Sequence, residues 1–326
     1  MTAALKRLFH IKAISVLTWA LAIPFAAELP AAEDLATFCE RLPRPAYAAF
    51  AKHAASNDWF EVYEVESGVF AIYEPFQWQE VISYLIIGAD SALLFDTGNG
   101  MGDIKAVVDQ LTSKPVTVLN SHTHFDHIGG NYQFERTLSV ATAFSITNSH
   151  GLANATVTAE AAPQALCKGL PTGVTQANHR IRPFTITATV NEGDTIDLGS
   201  RKLEILRVPG HTDDSIVLLD REAGLLWSGD TFYAGPIWLF APETDLAAYR
   251  RSIARLAALV PQLTAVFPAH NTPKASPALL IAAQKDFDEV LQGKATPVPA
   301  WEGVVTFEFD GFGFLMRADN TTIPGH

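Results

Sequence analysis

Ser121-His122-Thr123-His124-Phe125-Asp126-His127-Ile128-Gly129-Gly130 decides how the rest of the chain is read. It follows a short apolar run, residues 116–119, that reads as a buried strand. Three imidazoles and a carboxylate within six residues are hard to explain as packing, because unpaired polar groups are costly to bury. Imidazole suits zinc and similar borderline metals, and a carboxylate adds the negative charge that holds a divalent ion. In an extended loop His122 and His124 point the same way, leaving Asp126 and His127 to turn towards a second ion. Gly129-Gly130 lets the backbone pass close to a neighbour at a turn or helix entrance.

Three further stretches follow in order: Pro209-Gly210-His211-Thr212, Ser228-Gly229-Asp230-Thr231 and Phe267-Pro268-Ala269-His270-Asn271. With His-x-His-x-Asp-His after a strand, they resemble the metallo-β-lactamase superfamily from about residue 59 to about residue 291. The resemblance implies a mixed α/β fold, a four-layer αββα sandwich in a single domain, and a binuclear metal-dependent hydrolase. Carried over residue by residue, His122, His124 and His211 would hold one ion. Asp126, His127 and His270 would hold the other, with Asp230 bridging. Asp96, in the Asp96-Thr97-Gly98 turn, would support the metal loop by orienting ligands.

Two Zn2+ per chain are expected, although iron or manganese also suits such donors. A pair of cations about 3.5–4 Å apart would give a metal-bridging hydroxide at neutral pH. Asp126 would orient that nucleophile and shuttle its proton. Tyr233, three residues after Asp230, is either an oxyanion donor, as in lactone- and thioester-hydrolysing relatives, or a buried aromatic. Phe76, Trp78 and Trp238 are candidate substrate contacts, since the equivalent hairpin in the family grips apolar substrate. Ordinary packing at a sheet edge is the other reading of Phe76 and Trp78.

The expected function is hydrolysis of a carbonyl bond in a lactone, ester or thioester. A class B-type metallo-β-lactamase is the alternative. Two departures bear on it. The bridging position holds Asp230, where many β-lactamases of the superfamily have cysteine or serine. Asp213-Asp214-Ser215 also stands where a glycine usually precedes the serine, so an extra acid would lie near the cations.

Composition bounds the partners. Lys and Arg total 23 against 35 Asp and Glu, a net charge of −12, with no basic stretch to track phosphates. Nucleic acid is therefore not an expected partner, and a small-molecule substrate is. Residues 1–30 read as a secretory signal peptide, with Lys6, Arg7 and Lys12 before an apolar stretch and small residues near 26–32. That predicts a periplasmic or secreted protein with no stable membrane span once the signal is removed. Cys39 and Cys167 are the only cysteines; such a compartment permits a bond between them, but sequence cannot supply its geometry.

Residues 31–58 suggest a helical lead-in, and 59–326 the main domain. Strands are expected at 59–65, 69–73, 81–87, 92–95, 184–190, 195–198, 202–208, 215–219, 225–227 and 265–267, with a last hairpin at 301–314. Helices are expected near 104–111, from 127, after Thr244-Asp245 and after Ser276-Pro277. Residues 141–183 break the pattern and read as an insertion, of the kind that forms lids or binding walls. Its His150 and His179 lie in no ligand motif.

Overall fold

A computed structural model describes residues 35–321. The expected signal peptide therefore lies outside the described residues. Among those residues no helix is long and apolar enough to cross a membrane.

The chain begins with α1 (Leu35–Glu40) and a 3-10 turn at Pro45–Ala49. A seven-stranded sheet follows. Its members are β1 (Glu61–Glu66), β2 (Val69–Tyr73), β3 (Ile82–Ile87), β4 (Ala92–Phe95), β5 (Val116–Leu119), β6 (Thr137–Ser139) and β7 (Ala188–Thr189), paired in that order. Strands β1 to β4 pair antiparallel, and β4 to β7 parallel. The parallel step from β4 to β5 is crossed by α2 (Ile104–Leu111). Asp103 caps that helix through the Ala106 N–H, and Ile104, Val107 and Val108 bury its inner face.

After β5 come the short α3 (Phe125–Ile128), α4 (Ala143–Ser149) and α5 (Asn154–Val157). The second sheet has the order β13-β11-β10-β9-β8, from β8 (Thr195–Asp197), β9 (Lys202–Arg207), β10 (Ile216–Asp220), β11 (Leu225–Gly229) and β13 (Ala265–Pro268). A third, four-stranded sheet is built from β12 (Pro236–Leu239), β14 (Val298–Trp301), β15 (Val304–Phe309) and β16 (Phe312–Arg317). Helices α6 (Leu246–Leu259) and α7 (Ala278–Leu291) complete the chain.

Why the layers stack in this order follows from which faces are apolar. Tyr73, Tyr84, Leu93, Phe95 and Leu119 of the first sheet meet Ile205, Leu218, Trp227 and Phe267 of the second in one core. The opposite face of the first sheet, with Val62, Ile72, Leu85, Leu94 and Val118, packs on α2. The opposite face of the second, with Leu206, Val217, Leu219, Leu226 and Val266, packs on α6, α7 and the third sheet. Strands buried on both faces read as continuous apolar runs, as β4 and β10 do. Helix, sheet, sheet, helix is the expected sandwich.

Two expectations need correction. The strand foreseen at 184–190 shrinks to β7, two exposed residues pairing only with the three-residue β6. Its neighbour is too short to hold a longer edge. The helix foreseen from 127 to about 134 is broken after Ile128, with a separate 3-10 turn at Asn131–Gln133. Gly129 itself keeps helical angles, φ −59° and ψ −31°, and packs against the 98–100 turn. A Cβ there would lie 2.3 Å from the Asn99 carbonyl carbon, so only glycine lets the 98–100 turn pass.

The insertion, residues 141–183, is tied down at several points. Ile128 packs with Val157 and Ile181, and Leu152 bridges to Ile181. Cys167 is bonded to Cys39 with Cα atoms 5.4 Å apart, joining the insertion to α1 across 128 residues of chain. Closing so long a loop constrains the unfolded chain. Replacing both cysteines by serine is expected to lower stability by roughly 2–4 kcal/mol. An unchanged denaturation midpoint would count against that role.

Candidate metal centre

Strand ends bring the polar residues together. His122 and His124 leave the end of β5, Asp126 and His127 form α3, His211 follows β9, Asp230 follows β11, and His270 follows β13. Short strands held in a two-sheet core give each loop a fixed origin.

Three ring nitrogens converge first. His122 Nε2 lies 2.9 Å from His124 Nδ1, and His211 Nε2 lies 3.2 and 3.0 Å from the same two atoms. The other nitrogen of each ring is already engaged. His124 Nε2 meets Glu243 Oε1 at 2.6 Å, His211 Nδ1 meets the Trp238 carbonyl at 2.8 Å, and His122 Nδ1 meets Ser121 Oγ at 3.0 Å. Anchoring one nitrogen in this way turns the lone pair of the other towards a common point, as metal-binding histidines require.

The second half is adjacent. Asp126 Oδ2 lies 3.4 Å from His127 Nε2 and 3.7 Å from His270 Nε2. His127 Nδ1 donates to Asp96 Oδ2 at 3.0 Å, and His270 Nδ1 donates to the Gln79 carbonyl at 2.7 Å. Asp230 spans both halves, with Oδ1 3.1 Å from His270 Nε2 and 3.4 Å from His127 Nε2, and Oδ2 3.6 Å from His211 Nε2.

Do these donors fit a divalent ion? His127 Nε2 and Asp230 Oδ1 are buried without a hydrogen-bond partner. Orphaned buried polar atoms are rare unless something else satisfies them. Five imidazoles and two carboxylates, with each histidine's second nitrogen engaged, fit a pair of ions of the zinc class.

Electrostatics follow position. Burial, aided by neighbouring imidazoles, holds His122 below the usual histidine range and His211 down at about 4. Both rings therefore stay neutral, the form that binds metal. Burial also opposes charge on His127 and His270, but the surrounding carboxylates outweigh it and raise both. Asp126 and Asp230 are lowered, because those imidazoles overcome a desolvation that alone would raise them.

Asp96 lies behind His127, with its other oxygen accepting from the Ser121 N–H at 2.7 Å. It holds a left-handed φ of 66°, a strained backbone conformation kept by this double anchor. Asp214 does not face the ligands. Its carboxylate accepts from Thr123 Oγ1 at 2.6 Å and Thr212 Oγ1 at 2.7 Å, clamping the two histidine loops together.

Tyr233 is corrected. Its hydroxyl donates to the Pro236 carbonyl at 2.7 Å and accepts from the Trp238 N–H, while the ring packs 4.9 Å from His270. That hydroxyl is engaged on both sides by backbone of its own segment and the residue is buried, which favours the buried aromatic of the two readings. Phe76 is corrected too. It packs beside Trp59 and under the Lys168 ammonium, next to the disulfide. Trp78 and Trp238 stack at 5.4 Å, and Trp238 is joined to the centre through its carbonyl on His211.

Sequence reasoning missed Glu243, Phe144, Asn148 and Glu160. Phe144 of α4 meets the His124 ring at 5.6 Å, and Asn148 Nδ2 donates to the Thr123 carbonyl. Glu160 Oε2 accepts from Gln77 Nε2, Trp78 Nε1 and Gln79 Nε2, at 2.9, 3.0 and 3.3 Å. No motif flags these, because each acts from a distant segment. Glu243→Ala is expected to lower metal affinity or kcat/KM by about 10–100-fold, the usual effect of freeing a ligand's anchor. Glu243→Gln should recover part of the loss, and full activity in the alanine variant would contradict the role.

Burial, with the Asp126 charge adding to it, pushes Glu160 up to about 7. Free glutamate titrates near about 4.3. The folded form thus binds this proton more tightly than the unfolded chain. Glu160 favours folding fully below the unfolded value and loses that contribution as pH rises to about 7. Stability of Glu160→Gln relative to wild type should therefore improve between those two pH values and level off above them. A pH-independent difference would contradict this.

The geometry agrees with comparisons to known proteins. The family profile of the Metallo-beta-lactamase superfamily matches residues 78–270. Acyl-coenzyme A thioesterase MBLAC2 of Gallus gallus is 30% identical over 226 residues, covering 65% of this chain and 81% of the relative. Hydroxyacylglutathione hydrolase of Methylococcus capsulatus is 29% identical over 197 residues, covering 56% and 62%. Among solved structures, a Beta-lactamase domain protein from Burkholderia ambifaria has a TM-score of 0.52 at 19% identity, covering 83% of this chain and 98% of that one. With strand-end histidines and aspartates in the family's order, the chain belongs to the metallo-beta-lactamase superfamily and is a hydrolase of it.

Proposed function

We propose that the protein is a binuclear zinc hydrolase cleaving the carbonyl bond of an ester, thioester or lactone. The observation that carries this reading is Asp230 lying within 3.6 Å of nitrogens from both ligand groups. His122, His124 and His211 would hold one ion, and Asp126, His127 and His270 the other, with Asp230 between them. When bound, such ions polarise the substrate carbonyl and acidify the attacking water.

The chain's own groups supply the rest. Asp126, held ionised by its imidazole neighbours, is the base that takes the proton from the water and returns it to the leaving oxygen or sulfur. Water adds its oxygen to the carbonyl carbon, the bond to the leaving group breaks, and the proton ends on that group. Glu243 and the Trp238 and Gln79 carbonyls keep three histidines in register. The similarity to an acyl-coenzyme A thioesterase supports an acyl substrate.

A periplasmic or secreted location is part of the proposal. The basic-then-apolar start of the chain supports it, and so does the Cys39–Cys167 bond, which persists in oxidising compartments. The test is a panel of acyl esters, acyl thioesters, an acyl-lactone and a cephalosporin reporter, run beside Asp126→Ala. Turnover of acyl substrates that is lost in the variant is expected. A preference for the cephalosporin would make the protein a β-lactamase, and full turnover without metal would end the hydrolase mechanism.

A further inference from the structure

Four half-buried rings form a row that runs out to the third sheet, and one of them, Trp238, is tied to the ligand cluster through its backbone carbonyl on His211. Trp78 stacks on Trp238 at 5.4 Å, Trp238 meets Phe240 at 5.1 Å, and Phe240 meets Trp301 at 5.3 Å. The inner end is fixed twice. His211 donates to the Trp238 carbonyl, and the Trp78 indole N–H donates to Glu160. The outer end sits on β14, more than sixty residues further along the chain than Trp238.

Single exposed aromatics need no explanation, whereas a contiguous apolar surface joined to a polar centre marks a ligand site. Its rings come from three segments: the 77–79 loop, β12 with the residue after it, and β14. Trp238 and Phe240 are two apart, so the strand period puts both on one face. The polar groups at the Trp78 end of the row, Glu160 and the Gln77 bonded to it, are an acid and an amide, which suit an uncharged tail better than an anionic one.

We propose that this row seats the linear acyl chain of the substrate, with the carbonyl at the metal centre and the tail lying along Trp238, Phe240 and Trp301. Phe240 and Trp301 are then residues that set chain-length preference. This rests on the hydrolase reading above and names its substrate class. Rings that touch one after another, Trp78 to Trp238 to Phe240 to Trp301, favour an extended chain over a compact bicyclic ring. Each methylene buried on it should raise kcat/KM by up to about fourfold, mainly through KM.

The experiment has two arms. In the first, p-nitrophenyl esters from acetyl to dodecanoyl are compared in wild type, Phe240→Ala and Trp301→Ala. The expected result is a rise in kcat/KM with chain length in wild type, and a dodecanoyl-to-acetyl ratio at least tenfold lower in each variant. In the second, 11-bromoundecanol, whose bromine quenches indole on contact, is titrated into the protein as purified. Saturable quenching in wild type, weakened at least tenfold in Phe240→Ala, is expected. Quenching without turnover of any ester would sink the hydrolase reading and keep the row. Turnover that ignores chain length, with no saturable quenching, would overturn the row and keep the hydrolase. Circular dichroism of both variants confirms that they are folded.

Discussion

Asp230→Ala is expected to lose on the order of 10³-fold or more in kcat/KM, a loss of several kcal/mol of transition-state stabilisation. Its carboxylate approaches nitrogens of three histidines, His211 from one half of the centre and His127 and His270 from the other. On the proposed binuclear reading its removal would separate the two ion sites, and it leaves His127 and His270 without a carboxylate that helps raise them. Bound metal should fall with activity, from two ions per chain to one at most. Asp230→Asn tests charge separately from shape. It keeps the size of the side chain but removes the negative charge at that position, and it should fall nearly as far. An alanine variant that kept more than about a tenth of wild-type turnover would be incompatible with a bridging role.

Chelation is expected to have the other large effect, on stability as well as on rate. An ion that binds only the folded chain stabilises it by RT ln(1 + [L]/Kd), about 4 kcal/mol at a thousandfold excess over Kd. Stripping the metal should therefore lower the melting temperature by several degrees and abolish turnover, and adding zinc back should restore both. The sign follows from the centre itself. Without an ion, His127 Nε2 and Asp230 Oδ1 are buried without partners, and such atoms cost free energy in the folded state alone. A metal-free protein that melts at the same temperature would show that the cluster is satisfied by its own hydrogen bonds.

How much of this was legible in the sequence depended on whether a signal is local. The bounds of β2, β4 and β5 followed from apolar runs between turn residues, and α2 from its 3.6-residue period. The seven clustered residues were legible because each sits in a short motif at a strand end. The supports were not. Glu243 reaches His124 across 119 residues, and Glu160 reaches Trp78 across 82, so only the folded chain brings them together. The same holds for Asp214, whose motif stood out while its threonine partners did not.

Hydroxyls and rings failed for a related reason. Tyr233 has the spacing of an oxyanion donor, but the Pro236 carbonyl three residues on takes its proton. Phe76 stands two residues from Trp78, yet packs beside Trp59 and the disulfide. The disulfide needed coordinates because Cys167 lies in an irregular segment and Cys39 in a six-residue helix, with no shared period to align them. β7 fell short because a strand is only as long as the partner it pairs with.

The most direct measurement is the metal content of the purified protein, by plasma mass spectrometry, alongside its turnover. The account predicts about two zinc-class ions per chain, and about one in His211→Ala and in His270→Ala, with turnover lost in both. Full turnover in a preparation holding no more than trace metal, or wild-type metal content in both variants, would contradict it.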